Sequence, residues 1–164
     1  MRECQQYEIK LPYPEVTGGN EPHAVELLKE DYAGIVSEMT ALCQYIFQHL
    51  LLTENGYSFA RELECIAITE MRHKALLGTA ILRLGGTPIY ATTNTFWCAN
   101  YVDYVEDPKR MILSDIKGEY AAIYNYRCHI QMIPNTSVKK LLERIILDEE
   151  MHIRMFNDML RTLQ

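Results

Sequence analysis

Two short stretches pair a glutamate with a histidine three positions later: Glu70 and His73 in ITEMRH, and Glu149 and His152 in LDEEMH. The chain has only five histidines. Residues three apart on a helix share a face, so each pair points one way. Glu70 is flanked at helical spacing by Leu63, Ile66, Ala67 and Leu77, and His152 by Ile145 and Phe156. Both pairs therefore fall on apolar, inward-facing stripes.

Two further carboxylates share that placement: Glu38 between Ile35 and Leu42, and Glu119 between Ile116 and Ile123. Buried carboxylates left ionised and unpaired are costly. Two divalent cations cancel four such charges, and two neutral imidazoles complete the ligand set, one per ion. A Glu from each of two helices and a Glu-x-x-His from each of two others is the pattern of dinuclear carboxylate bundles. Oxygen-rich ligation with imidazole suits iron or manganese, and the geometry alone also accepts zinc or cobalt. One Glu-x-x-His is weak evidence, since it is ordinarily an exposed pair. Two copies on core faces, with a core Glu on each remaining helix, form a strong conjunction. Glu62, Glu64, Glu143 and Glu150 fall off the stripes and read as solvated charges. Asp115 reads as a surface charge, with the mouth of the site as its alternative place.

The elements that must position these residues follow from periodicity and punctuation. Residues 1–21 read as an extended arm, broken up by two prolines and the TGGN turn. Residues 22–164 read as one all-α domain. A first helix is expected over about 22–53, starting at Asn20 and Pro22, with Leu28, Ile35, Leu42, Ile46 and Leu50 inward and Glu30, Asp31 and Gln48 off the stripe. A second is expected over 58–84, a third over 108–132 behind Asp107 and Pro108, and a fourth over 138–162. The connections run short, long, short. A middle link of this length can deliver the third helix parallel to the second, which is the one-crossover, ferritin-like bundle rather than the up-down-up-down form. No fifth helix is expected.

The long link carries Tyr90, Phe96, Trp97, Tyr101 and Tyr104. It either packs on a bundle face or on a dimer partner, or it forms a lid over one mouth of the site.

Composition bounds the rest. The chain has 164 residues, is 48% apolar and 23% charged, and carries a formal charge of −6. That is one globular domain without the basic footprint of a nucleic-acid binder. No apolar run reaches the ~18 residues needed to span a bilayer. The N-terminus shows no apolar signal core, so a cytoplasmic setting is expected. The cysteines (4, 43, 65, 98 and 128) are scattered, form no Cys-x-x-Cys, and read as reduced core residues.

At this point the residues carry a family resemblance. EMRHKALLGTAILRLGGTP (70–88) and IILDEEMHIRMF (145–156) resemble the second- and fourth-helix signatures of bacterioferritins, and SEMTALCQYIFQH (37–49) is similar to their first helix. The resemblance implies a ferroxidase-type di-iron centre, with manganese as the alternative metal. Glu38 and Glu119 would be terminal ligands, Glu70 and Glu149 would bridge, and His73 and His152 would each bind one ion. Tyr45 matches the family tyrosine that hydrogen-bonds near the third-helix Glu and could supply a proton or an electron. Met71 falls where bacterioferritins carry the Met that ligates haem across a two-fold axis, although a dimer-interface side chain explains it as well. Cys65 and Thr69 stand where some bacterioferritins bind iron on the inner surface. Rubrerythrins share the bundle, but this cysteine pattern cannot build their usual second iron site. Manganese catalases are a third branch.

The resemblance implies a protein that oxidises Fe(II) or reduces O2 or H2O2 at a Glu4His2 site, with iron storage or peroxide dismutation as alternatives. Its expected partners are iron, O2 or H2O2 and further copies of itself, as a dimer or small oligomer. Neither nucleic acid nor membrane is expected.

Overall fold

The computed structural model describes residues 2–163. Among the described residues there are five α-helices: α1 (Pro22–Ala33), α2 (Glu38–Glu54), α3 (Ala60–Arg83), α4 (Pro108–Met132) and α5 (Thr136–Thr162). Among the described residues β-structure is limited to a single bridge between Ala91 and Phe96. No described helix is long and apolar enough to cross a membrane.

The first expected helix is two helices. At Gly34 the chain leaves α1 in an extended conformation, and a Cβ there would lie 2.5 Å from the Glu30 carbonyl oxygen. Only glycine accommodates that approach. Ser37 then caps α2, accepting from Thr40 N and donating to Gly34 O at 2.8 Å. The break resets the helical phase. Ile35 and Leu50, expected inward, are 64% and 61% exposed, whereas Asp31 and Gln48, expected outward, are buried. The reset also places Glu38 in the first turn of α2, where the helix dipole favours a carboxylate.

The other boundaries follow ordinary capping. Gly56 turns the chain at φ +75° before α3. Asp107 accepts from Arg110 N ahead of Pro108 to open α4, and Asn135 accepts from Ser137 N and Val138 N to open α5.

Two apolar clusters fill the bundle. One gathers Leu28, Leu77, Ile81, Leu84, Ile123 and Ile145. The other gathers Tyr45, Leu52, Leu63, Ile66, Met111 and Phe156. On α3, α4 and α5 the candidate site residues lie in sequence between the two sets, so the polar layer is sealed above and below by hydrocarbon.

The link between α3 and α4 lies along α1 and α2. Tyr90 stacks on Tyr32 with ring centroids 5.8 Å apart, Trp97 Nε1 donates to Thr40 Oγ1 at 3.0 Å, and Asp103 N donates to Gln44 Oε1 at 2.9 Å. Tyr104 meets the edge of Phe47 at 5.0 Å. Trp97 thus packs on the bundle face.

The N-terminal arm is not wholly extended. Arg2–Tyr7 form a 3-10 turn, and Cys4, Tyr7 and Val16 are buried. Cys4 is joined to Cys65 of α3 by a disulfide with a Cα–Cα distance of 4.9 Å. This corrects the expectation of five reduced cysteines. The partners are 61 residues apart in sequence, and nothing local in the chain signals the pairing. Cys43, Cys98 and Cys128 are free thiols.

Candidate metal centre

Four helices deliver the six residues to one layer. Glu38 comes from α2, Glu70 and His73 from α3, Glu119 from α4, and Glu149 and His152 from α5, and all six are buried. Two groups form, each with its ligand atoms within 4.8 Å of one another: Glu38, Glu70, His73 and Glu149, and Glu70, Glu119, Glu149 and His152. Glu70 and Glu149 belong to both.

The oxygens are divided between the two groups. Glu70 Oε2 and Glu149 Oε1 each lie 3.3 Å from His73 Nδ1, while Glu70 Oε1 and Glu149 Oε2 lie 2.9 and 3.0 Å from His152 Nδ1. Glu38 approaches only His73, at 3.5 Å, and Glu119 only His152, at 3.6 Å. Several of these atoms have no hydrogen-bond partner although they are buried: Glu38 Oε2, Glu70 Oε1, Glu149 Oε2 and His152 Nδ1. Orphaned donor atoms converging on one buried space are what two cations would satisfy, so the donor set fits a dinuclear site.

The electrostatics agree. Burial pushes Glu38 well above the usual carboxylate range. Burial, with Glu149 and Glu70 as neighbours, pushes Glu119 up to about 8. Burial acts the same way on Glu70, but His152 and His73 outweigh it and hold that carboxyl below its ordinary value. Without cations, protons must take their place in this layer.

Glu119 and Glu38 are each held by a tyrosine from the opposite helix. Tyr45 donates to Glu119 Oε1 at 2.7 Å, and Tyr126 donates to Glu38 Oε1. Tyr45 lies one heptad after Glu38, and Tyr126 one heptad after Glu119. Sequence reasoning found the first and missed the second, although the repeat itself was the signal. Burial, with Glu119 beside it, pushes the Tyr45 hydroxyl well above 10. Tyr45 therefore keeps its proton and acts as a donor, not a base.

Asp148 was also missed. It lies 3.0 Å from His73 Nε2, accepts from Ile9 N and Tyr13 Oη at 2.6 Å each, and pairs with Arg144 at 2.8 Å. Burial raises its carboxyl, but His73, the Ile9 N–H and the Tyr13 hydroxyl outweigh it and hold it at about 2. Asp115, expected at the surface, is fully buried and accepts from Gln44 and Gln48 at 2.8 and 2.9 Å. Met71 stands on the outer face, 51% exposed, apart from the site.

A cavity of about 280 Å³ between α2 and α4 reaches Glu38, Glu70, Glu119 and Glu149. Ile35, Lys117 and Gly118 lie at its outer part, and the link contributes Tyr101 and Asp103.

The family model described as the ferritin-like domain matches residues 25–164. The chain belongs to the ferritin-like family. It is 29% identical over 138 residues to a bacterioferritin of Mycobacterium leprae, covering 81% of this chain and 80% of that protein. Its fold is similar to that of KatB, a manganese catalase from Anabaena, with a TM-score of 0.85, 25% identity, and 94% of this chain and 78% of that one covered. It is also similar to the Desulfovibrio desulfuricans bacterioferritin, whose structure describes a di-iron site, with a TM-score of 0.71, 26% identity, and 85% and 79% covered.

Proposed function

We propose that this protein is a dinuclear metal oxidoreductase, of iron or manganese, that consumes hydrogen peroxide inside the bundle. Glu38, Glu70, His73 and Glu149 would hold one ion, and Glu70, Glu119, Glu149 and His152 the other. Bound there, a redox-active metal pair supplies the two-electron change by which peroxide is reduced to water or oxidised to O2.

The observation that carries the choice of substrate is the lining of the cavity. Apart from the four glutamates of the site, it holds one acid, Asp103, and one base, Lys117; the rest are neutral residues such as Ser37, Thr40, Ala41, Gln44 and Ala122. A path that delivers Fe(II) as a substrate gains from carboxylates along its length, because they raise the local cation concentration. A path for H2O2 or O2 needs only width and hydrogen-bonding groups. The fold likeness points the same way, since the chain is covered more fully by the manganese catalase than by the bacterioferritin. Residues of this chain act on the substrate through position: the apolar clusters close the layer at its two ends, and Tyr45 Oη holds its proton against Glu119 Oε1.

Iron storage is the less favoured reading. Cys65 and Thr69, at positions where some bacterioferritins bind iron, are here engaged with the arm: Cys65 by the disulfide and Thr69 through a 3.3 Å bond to the Tyr7 carbonyl. The proposal includes the one-crossover bundle and a dimer or small oligomer in place of a shell, the latter to be checked by sedimentation.

The deciding experiment loads the protein separately with Mn(II) and with Fe(II), then follows O2 evolution from H2O2 beside the oxidation of added Fe(II). Rapid peroxide consumption with slow Fe(II) oxidation is the expected result. Fast Fe(II) oxidation with mineral retention and no peroxide turnover overturns it.

A further inference from the structure

The two halves of the site repeat one another, and at one position the repeat fails. Glu70 and His73 correspond to Glu149 and His152, and the residue before each Glu is Thr69 on α3 and Asp148 on α5. Asp148 reaches across to His73 Nε2. By the same symmetry residue 69 should serve His152, but threonine there is too short and carries no charge. The Tyr7 carbonyl fills the place. It accepts from His152 Nε2 at 3.0 Å and from Thr69 Oγ1 at 3.3 Å.

We infer that residues 7–13 of the arm are positioning residues for both histidines: the Tyr7 carbonyl stands in for a missing carboxylate at His152, and Ile9 N–H and Tyr13 Oη fix Asp148 for His73. A neutral imidazole that gives its Nε2 hydrogen to an acceptor presents the Nδ1 lone pair to a metal. Both rings have Nδ1 turned to the carboxylates and Nε2 turned to the arm side.

The arm is anchored as this role requires. The Cys4–Cys65 disulfide and the buried Tyr7 ring fix its start. Arg144 donates to the carbonyls of Ile9 and Leu11 while pairing with Asp148. Arg72 pairs with Glu8 at 2.5 Å. Tyr13 meets His73 edge-on at 6.0 Å between ring centroids.

The inference rests on the dinuclear reading, and the test separates the two. The full-length protein is loaded with Zn(II), which is diamagnetic, and 15N-labelled at histidine. Stepwise affinities come from chelator competition, and ring-nitrogen spectra report which nitrogen carries hydrogen. Cys4→Ser combined with Tyr7→Ala removes the disulfide and the buried ring that hold the carbonyl. The expected result is a 10- to 100-fold loss of affinity at the ion beside His152, with faster exchange of its Nε2 hydrogen and little change at His73. Adding Thr69→Asp should restore both. Tyr13→Phe deletes one oxygen, so it tests the other half without threatening the fold, and it should weaken the His73 ion instead.

Unchanged affinities in the released-arm variant or in Tyr13→Phe, or no rescue by Thr69→Asp, overturn the inference. A wild-type chain that takes fewer than two ions overturns the dinuclear reading beneath it.

Discussion

Tyr126 gives its hydroxyl hydrogen to Glu38, and thereby mirrors across the bundle the bond that Tyr45 gives to Glu119. A hydrogen bond to a charged group is worth roughly 1.5–3 kcal/mol. Tyr126→Phe should therefore weaken the ion beside His73, and Tyr45→Phe the ion beside His152, each by about 10-fold or more. Stepwise metal titration of the two variants checks this. A crippled Tyr45→Phe beside a normal Tyr126→Phe would show that Tyr45 has a redox role of its own and that the symmetry carries no weight.

The division of oxygens makes a second prediction. Glu70 and Glu149 face both histidines, whereas Glu38 faces one. Glu70→Ala should lose both ions and Glu38→Ala only one, while Glu64→Ala, off the site, should keep two. Metal analysis after gel filtration decides it, and equal content in all three would mean that the shared faces are wrongly assigned. Excess metal should also raise the melting temperature of the wild type, since a ligand at 1,000 times its Kd stabilises by about 4 kcal/mol.

Asp115 gives a pH signature. Burial pushes its carboxyl from 3.8 up to about 7, while Gln44 and Gln48 pull the other way. A raised folded-state value means that the protonated form suits the fold. The contribution is complete below about pH 4 and is lost as pH rises through about 7. Asp115→Asn removes this loss, so its stability advantage over wild type should grow between pH 4 and pH 8, toward an upper limit on the order of 4 kcal/mol. Urea midpoints measured across that range are the check. A pH-independent difference would place a compensating charge beside Asp115.

Gly118 sits in mid-helix, where glycine costs about 1 kcal/mol relative to alanine. It lines the cavity, and a Cβ built there meets nothing within 4 Å. Gly118→Ala should leave turnover unchanged and raise stability slightly. Gly118→Phe should lower kcat/KM for peroxide several-fold at unchanged metal content. If peroxide kinetics ignore the phenylalanine, the substrate enters elsewhere.

That Glu70, His73, Glu119, Glu149 and His152 face inward was legible because each depends on helical phase within an unbroken segment, written in neighbours such as Ile66, Leu77 and Ile145, whereas Glu38 was read between Ile35 and Leu42 across the break at Gly34. Where the phase breaks, legibility ends. Ile35 and Gln48 were misplaced because the close contact at Gly34 and the Ser37 cap split one apparent helix into two. Asp115 looked like a surface charge because its partners, Gln44 and Gln48, lie on another helix. Asp148 and the disulfide were hidden for a similar reason: each is explained by the arm, and an irregular segment has no period from which its destination can be read. Tyr126 is the exception: Tyr45 was reached through the family resemblance, and the heptad that relates Tyr45 to Glu38 also relates Tyr126 to Glu119. In the link between α3 and α4, Trp97 is bonded to the bundle face, as its packing account expected, and Tyr101 and Asp103 line the cavity.

The docking of the arm also orders events in time. Tyr7 meets His152 across 145 positions, and Ile9 meets Asp148 across 139. Closing loops of that length carries an entropic cost that helix formation does not, so such contacts form late. The arm, although it precedes α1 in the chain, is thus among the last segments to take its place. On the dinuclear reading, a cation arriving before then would meet assembled carboxylates but imidazoles still free to turn. Metal choice would then have two stages, a permissive one set by charge during collapse and a stricter one set when the arm closes.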